Sequence, residues 1–365
     1  MKGWRRAGSA AGVALGLALA LVGQAAPASL LDHLPRVEVG AYAAALQAAR
    51  ARGAGGRADA LWIELFYGSA GAQAQAEAEL ASPGAGVTAP GEAAETAFLQ
   101  FLAAYIQGQD RQMLDAALRM MRTAPNDVAT EMAVRTLSGQ LENQGRTLLD
   151  AVPSIERALR EPLADPTTSY MLGRSLLAAV HAPGLALTQQ AAQQLAGRLP
   201  HWQLWGPFGA YENLGFGESF PIESAAAASY EDGGGTRHPQ PYTSVGDGVA
   251  FPNDWAAQGV DFAVTYVHAA APARVLLRLY SPASVQLAIN GVVVMRNDRR
   301  SSYRPATAVA AVELAAGWSR VVVKVAGESR RDFELMVRPA PGVVLENAAA
   351  APAGALAAAP KRLGA

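Results

Sequence analysis

The sequence predicts a multidomain chain, α first and β second: an α-helical repeat array (an α-solenoid), then an antiparallel β-sandwich of jelly-roll-like kind. Three observations predict it. Apolar residues recur at three and four up to about residue 200 and at two beyond it, the spacings of a helix face and a strand face. Alanine, the strongest helix former, crowds the first half. Short β-branched runs separated by tight-turn residues fill the second. At 365 residues the chain is long enough for two cores.

The first residues read as a targeting segment. Lys2, Arg5 and Arg6 precede an apolar run from about Ala10 to Val22, and Gly23 to Ala28 has the small residues a signal peptidase reads. Residues 1–28 are therefore expected to be a signal peptide, and the mature chain to be exported, periplasmic or extracellular. A retained anchor is the alternative, although the run is short for a span. No later segment is apolar for long enough, so no membrane span is expected in the mature chain. The net charge of -1 offers no electrostatic ground for a nucleic-acid partner. The absence of cysteine removes disulfides, thiolate metal sites, lipid attachment at a lipobox and cysteine nucleophiles.

Residues 29–200 read as the helical domain. Val39, Tyr42, Ala43, Leu46 and Ala49 make one helical face, stopped at Gly53 to Gly56. Leu61, Trp62, Leu65 and Phe66 stripe a second helix that Gly68 ends. Gln73 to Leu80 is a short polar helix, and Ala81 to Gly91, with its prolines and glycines, an exposed loop. Phe98, Leu99, Phe101, Leu102 and Tyr105 form a wide face closed by Gly108. Asp110 is the expected N-cap of the next helix, whose face carries Met113, Leu114, Ala117, Leu118 and Met121. These methionines, with Met120 and Met132, are expected to fill the core rather than line a groove. Ala124-Pro125-Asn126-Asp127 is a turn and cap before a helix to Leu141. Further helices are expected over 147–159, 167–180 and 185–199. The segment Met113 to Pro125 resembles the second helix and closing proline of a tetratricopeptide repeat, without strict recurrence of that family's aromatic and small-residue signature. Degenerate tetratricopeptide-like pairs imply either a concave surface for an envelope protein or peptide, or a helical spacer; both readings stay open.

The change of rhythm falls at His201-Trp202-Gln203-Leu204-Trp205-Gly206-Pro207-Phe208. Two tryptophans three apart on a strand must face opposite ways, and the proline interrupts the ladder. Ala225 to Pro252 has little regular signal. Val260 to His268 then alternates, with Val260, Phe262, Val264, Tyr266 and His268 on one face. Arg274 to Tyr280 is the next strand. Ser284 to Ile289 and Val292 to Met295 flank Asn290-Gly291, the strongest local hairpin signal, since both turn residues need positive φ. Ala308 to Leu314, Ser319 to Val325 and Phe333 to Val337 complete a sandwich over residues 201–340. Residues 341–365, rich in alanine and proline, read as a disordered tail.

Trp205-Gly206-Pro207-Phe208, Gly215-Phe216, Pro221, Glu223, Trp255, Leu287-Ala288-Ile289-Asn290-Gly291, Leu314 to Trp318 and Val323-Lys324-Val325 together carry a resemblance. The pattern is similar to an accessory β-sandwich of exported bacterial proteins, of the galactose-binding-like and protective-antigen kind. In such proteins it commonly accompanies tetratricopeptide repeats and sometimes a transglutaminase-like domain. The resemblance spans residues 201–340, and its motifs are structural, so it implies a fold more than an activity. Transglutaminase chemistry needs a cysteine nucleophile and does not carry over.

The sequence offers little chemistry. His33, His181, His201, His238 and His268 lie too far apart to form a helical metal pair. No Gly-x-Ser-x-Gly elbow or Gly-x-x-x-x-Gly-Lys loop is present. Glu212, Glu218, Glu223, Glu231 and Asp232, beside Tyr211, Phe216 and Tyr230, are acids that glycoside cleavage would use in pairs, or ordinary loop acids. Asp247 and Asn253-Asp254 supply hard oxygens without calcium-loop spacing. Tyr242, Trp255, Arg299, Arg300 and Tyr303 are the candidate ligand-binding residues, aromatic platforms with polar neighbours suited to carbohydrate. Trp202, Trp205 and Trp318 are expected in the core. The expectation is a non-enzymatic exported binding or scaffolding protein, without cofactor or metal. Its helical repeats would contact protein and its sandwich a ligand or partner. The alternative is a carbohydrate-binding accessory or a polysaccharide-active enzyme component.

Overall fold

The computed structural model describes residues 37, 41–81, 90–124, 127–141, 145–160, 166–180, 185–209, 212–232, 235–246, 248–252, 259–298, 306–327, 332–350 and 356–363. The signal segment expected at 1–28 lies outside the described residues. Helices come first and antiparallel sheets second. The chain divides into two compact units, Met1–Ala158 with Leu163–Met171, and Leu159–Pro162 with Leu172–Ala365. The second unit thus begins ahead of the change in spacing near residue 200. The reason is that residues 189–199 are tied to the strands that follow them.

The helices of the first half are α1 (Tyr42–Ala51), α2 (Arg57–Tyr67), α3 (Ala70–Ala81), α4 (Pro90–Gln107), α5 (Asp110–Thr123), α6 (Val128–Leu141), α7 (Gly145–Arg160) and α8 (Pro166–Ala179). Among the described residues none is long and apolar enough to cross a membrane. Leu61, Leu65, Ala76, Leu80, Leu99 and Ala103 bring α2, α3 and α4 onto one cluster, with Trp62 and Phe66 stacked against it. Small alanines let these helices approach closely, at little buried area per residue. On α5 the buried stripe is Met113, Leu114, Ala116, Ala117, Leu118, Met120 and Met121, so those three methionines are core. Gly108, at φ +69°, ends α4 in the left-handed conformation, and Gln109 N–H donates back to Ala104 O at 2.8 Å. Asp110 is the first residue of α5 rather than its cap, where its charge complements the helix N-terminus. Asp127 caps α6, its Oδ1 accepting from Ala129 N–H at 2.8 Å.

In the second unit α9 is only Gln189–Leu195, shorter than the expected 185–199. Thr188 caps its start and Gly197, at φ +65°, stops it. The strands are β1 (His201–Phe208), β2 (Tyr230–Asp232), β3 (Gly235–Arg237), β4 (Gln240–Thr243), β5 (Val249–Ala250), β6 (Val260–Ala269), β7 (Ala273–Ser281), β8 (Ser284–Ile289), β9 (Val292–Asn297), β10 (Ala306–Leu314), β11 (Gly317–Ala326), β12 (Asp332–Pro339), β13 (Leu345–Ala348) and β14 (Lys361–Arg362). A large sheet runs β4-β1-β6-β11-β8-β9, with β13 also on β6. A second runs β14-β10-β7-β12-β5, and β2 and β3 form a separate ribbon.

The two sheets share one aliphatic core, including Leu204, Val267, Val285, Leu287, Val321 and Val323 from the large sheet and Val275, Leu277, Val312 and Leu335 from the other. The outer face of the large sheet is covered too. A 3-10 helix at Glu212–Gly217 and a short helix α10 (Pro221–Ser224) lay Phe216, Phe220 and Ile222 on Trp205, Phe208, Phe262, Val264 and Tyr266. Covering both faces is what buries β6 almost end to end. The tryptophans divide as expected, Trp202 into the inner core and Trp205 into the outer cluster.

The hairpin at Asn290-Gly291 is formed, with φ of 48° and 79°. Asn290 does more than turn the chain. Its Oδ1 accepts from Arg320 N–H at 2.7 Å, and its Nδ2 donates to Ala357 O at 3.0 Å and Ala358 O at 3.2 Å. For the described residues 341–350 and 356–363, this contact and the pairings that follow correct the expectation of a disordered tail at 341–365. β13 pairs with β6, and Leu356 bridges Trp318. β14 pairs with β10, and Arg362 donates to Val294 O at 2.6 Å. Backbone hydrogen bonds and one asparagine order a stretch whose composition provides little apolar driving force.

Candidate binding cleft

The second unit holds an open cleft of about 1010 Å³. α9 supplies Gln189, Gln190, Gln193 and Gln194 to its wall; Ser244 and Val245, which follow β4, and Val344 to Asn347, which run into β13, supply others. Residues 189 and 193, and again 190 and 194, are one helical turn apart, so the four amides share a face. Two of them are committed to backbone: Gln193 Nε2 donates to Ser244 O at 2.9 Å, and Gln189 Nε2 to Val245 O at 2.6 Å. Gln189 Oε1 is buried with no hydrogen-bond partner among the described residues. Val245 and Val344 stand out at 69% and 70% exposed, unusually open for aliphatic side chains at a cleft's lips.

One end of the cleft is fixed where β1 and β13 meet along the same edge of β6. Asn347 Oδ1 accepts from His201 N–H at 2.8 Å, while its Nδ2 donates to Thr265 Oγ1 at 2.6 Å and Tyr266 O at 3.2 Å. Thr265 Oγ1 donates in turn to His201 O at 2.6 Å. These two polar side chains satisfy the backbone groups left where one strand replaces the other. Val337 N–H donates to Gly197 O at 2.7 Å and Arg338 Nη2 to Leu159 O at 3.1 Å. Arg160, Arg198 and Arg338 line the cleft. Burial lowers the Arg338 pKa from its ordinary value, which still leaves the guanidinium charged at physiological pH. Among the described residues β13 pairs only with β6.

Of the sequence-predicted ligand residues, Tyr242 is half-buried against the inter-sheet core, and its hydroxyl accepts from Ala250 N–H at 3.5 Å. Trp255, Arg299, Arg300 and Tyr303 lie outside the described residues, as do Asp247, Asn253 and Asp254. Three acids of the 212–232 stretch serve separate partners. Glu223 pairs with Lys324 at 2.7 Å, Asp232 accepts from Gly209 N–H at 3.0 Å, and Glu231 accepts from Thr236 at 2.8 Å. Among the described residues no three His, Asp or Glu gather as a metal site would require. His268 stacks beside Trp318, ring centroids 5.0 Å apart, with Glu346 3.7 Å from its Nδ1. Sequence reasoning missed Gln189, Gln193, Val344 and Asn347. The two glutamine pairs spaced by four were the one signal that could have marked a polar face.

No family model matches the chain, and no curated protein matches it. Among solved structures it is similar to the β-glucosidase from Kluyveromyces marxianus at 10% identity and a TM-score of 0.23, over 68% of this chain and 38% of that one. A likeness so slight carries no argument about fold or activity, and this chain spans well under half of that protein's length.

Proposed function

We propose that the protein is a non-enzymatic binding or scaffolding protein of the cell envelope, exported through residues 1–28. Its β-rich unit receives an extended polypeptide segment of a partner in the cleft. The helical unit, read as degenerate tetratricopeptide-like pairs, adds protein contacts. The second unit is read as a jelly-roll-like sandwich of the galactose-binding-like kind. The observation that carries the binding reading is how the cleft's backbone edges are served. The carbonyls of Ser244 and Val245 are held by glutamine side chains, which an incoming main chain can replace, and among the described residues β13 has a strand on one side only. Strand addition uses such edges for affinity and neighbouring pockets for choice of side chain. The exposed valines supply apolar contact, and the amides both donate and accept.

A peptide array of mixed sequences, probed with the full chain, tests this reading. Extended peptides should be retained, and the double substitution Val245→Glu, Val344→Glu should abolish retention while leaving the melting temperature unchanged, since both side chains are exposed. Retention unaffected by that pair would refute the cleft as the site. A second reading, carbohydrate binding, rests on the His268–Trp318 stack with Glu346 beside it, an aromatic face with a polar neighbour. Glycan binding lost in Trp318→Ala and kept in the valine pair would favour it.

A further inference from the structure

A second constellation lies on the outer face of the large sheet. Lys324 on β11 and Gln286 on β8 are direct cross-strand partners. Both are buried, the lysine 2% exposed and the glutamine 5%. The Lys324 Nζ lies 5.0 Å from the centroid of Phe220, 5.7 Å from Phe262 and 5.8 Å from Phe216. Glu223 touches both members of the pair. Its Oε1 accepts from Lys324 Nζ at 2.7 Å and its Oε2 from Gln286 Nε2 at 3.4 Å. Arg296 Nη1 donates to Gln286 Oε1 at 3.3 Å. A carboxylate only accepts and a guanidinium only donates, so these partners fix which end of the amide is which. Lys324 also donates to the Glu218 carbonyl.

A buried lysine in an apolar setting is an expensive way to hold a sheet together. These four side chains are also the parts of an acyl transfer. Desolvation lowers the Lys324 pKa, against the opposing pull of Glu223, and so favours its nucleophilic form. Glu223 bridges the attacking nitrogen and the nitrogen that would leave, the position of a proton carrier. Arg296 sits on the oxygen where negative charge would develop.

We propose that Lys324 and Gln286 join spontaneously in the folded chain, forming an isopeptide bond with release of ammonia. The Lys324 ammonium gives one proton to Glu223, and the amine lone pair attacks Gln286 Cδ. The carbonyl electrons move to Oε1, facing Arg296. Nζ sheds a second proton, and Glu223 delivers one of the two to Nε2. The Cδ–Nε2 bond then breaks as the carbonyl reforms, and the departing ammonia takes the other proton and leaves as ammonium. One C–N bond forms and one breaks, with no change of oxidation state and no co-reactant. Glu223, half-buried, opens the exit path to solvent. The product is a covalent rung between β8 and β11, independent of the peptide reading of the cleft.

Mass spectrometry of the purified full chain tests it. The wild type should weigh one ammonia less than its sequence, after the same N-terminal processing, whereas Lys324→Arg should show its full sequence mass. A tryptic digest should yield peptide 279–296 joined to peptide 321–330, with cleavage after Lys324 lost. Glu223→Gln should lose the joined species while circular dichroism still reports sheet. A free peptide ending at Lys324 with no joined species, or a loss of water linking Lys324 to Glu223 instead, would overturn the proposal. The wild-type digest decides this even where a variant fails to fold.

Discussion

The two faces of the large sheet solve the burial problem differently. The inner face is mainly aliphatic: Leu204, Val285, Leu287, Val321 and Val323 meet the valines and leucines of the opposite sheet, and Trp202 meets the Phe333 ring. The outer face is aromatic and cationic. Rings from β1 and β6 lie under the 212–224 segment, and Arg320, Lys324 and Arg296 reach up to it. Arg320 donates to Ile222 O at 2.6 Å, Lys324 reaches Glu218 and Glu223, and Arg296 lies 4.9 Å from the Phe216 ring. A second sheet can bury one face with side chains alone. A short irregular segment has spare carbonyls as well, and the sheet beneath it must supply donors.

Truncation on each face sharpens the contrast, and the largest effects come first. Phe262→Ala should cost about 3–5 kcal/mol and Leu287→Ala about 2–5 kcal/mol in denaturant unfolding. Their effects on the 212–224 segment should differ, with local proteolysis there increased only by Phe262→Ala. Equal susceptibility in both variants would break the distinction between the faces. Gly259 holds a φ of +144°, and a Cβ there would stand 2.2 Å from Phe208 O. Gly259→Ala should therefore cost at least about 1–3 kcal/mol from the backbone conformation alone, read as a lowered denaturation midpoint.

Asn290→Ala removes the bonds to Arg320, Ala357 and Ala358 together with a residue tolerant of positive φ. A loss of about 1–3 kcal/mol is expected, with faster proteolysis within 356–363. The smallest effect concerns Tyr230, whose hydroxyl donates to Ala225 O and accepts from Ala227 N–H. Burial raises its pKa above the ordinary 10.0. The stability tied to its proton is thus complete below that value and lost as pH climbs through the raised folded pKa. Wild type should lose stability in that alkaline range by a component that Tyr230→Phe lacks, measured by melting temperature against pH.

The inner face was legible from spacing alone. Val285, Leu287, Val321 and Val323 alternate, and Asn290-Gly291 pins the register of β8 against β9. The outer face was legible only as alternation along Val260 to His268. Nothing local says that a segment forty residues earlier in the chain will cover those rings, because that is a long-range contact. The order of residues 345–350 and 356–363 was hidden for a related reason. An alanine- and proline-rich stretch carries little hydrophobic signal, and its place is set by backbone pairing with β6 and β10 and by one asparagine. The cleft was the least legible feature of all. Its polar wall comes from Gln189 and Gln193, residues that read in sequence as an ordinary solvated helix face.

Hydrogen exchange of the full chain, with and without the tightest-binding peptide from the array, bears most directly on the cleft as a strand-accepting site. Bound peptide should slow exchange at 243–246 and 343–348 and leave β8 and β11 unchanged. Slowed exchange confined to the helices of the first unit, with 343–348 unaffected, would contradict it.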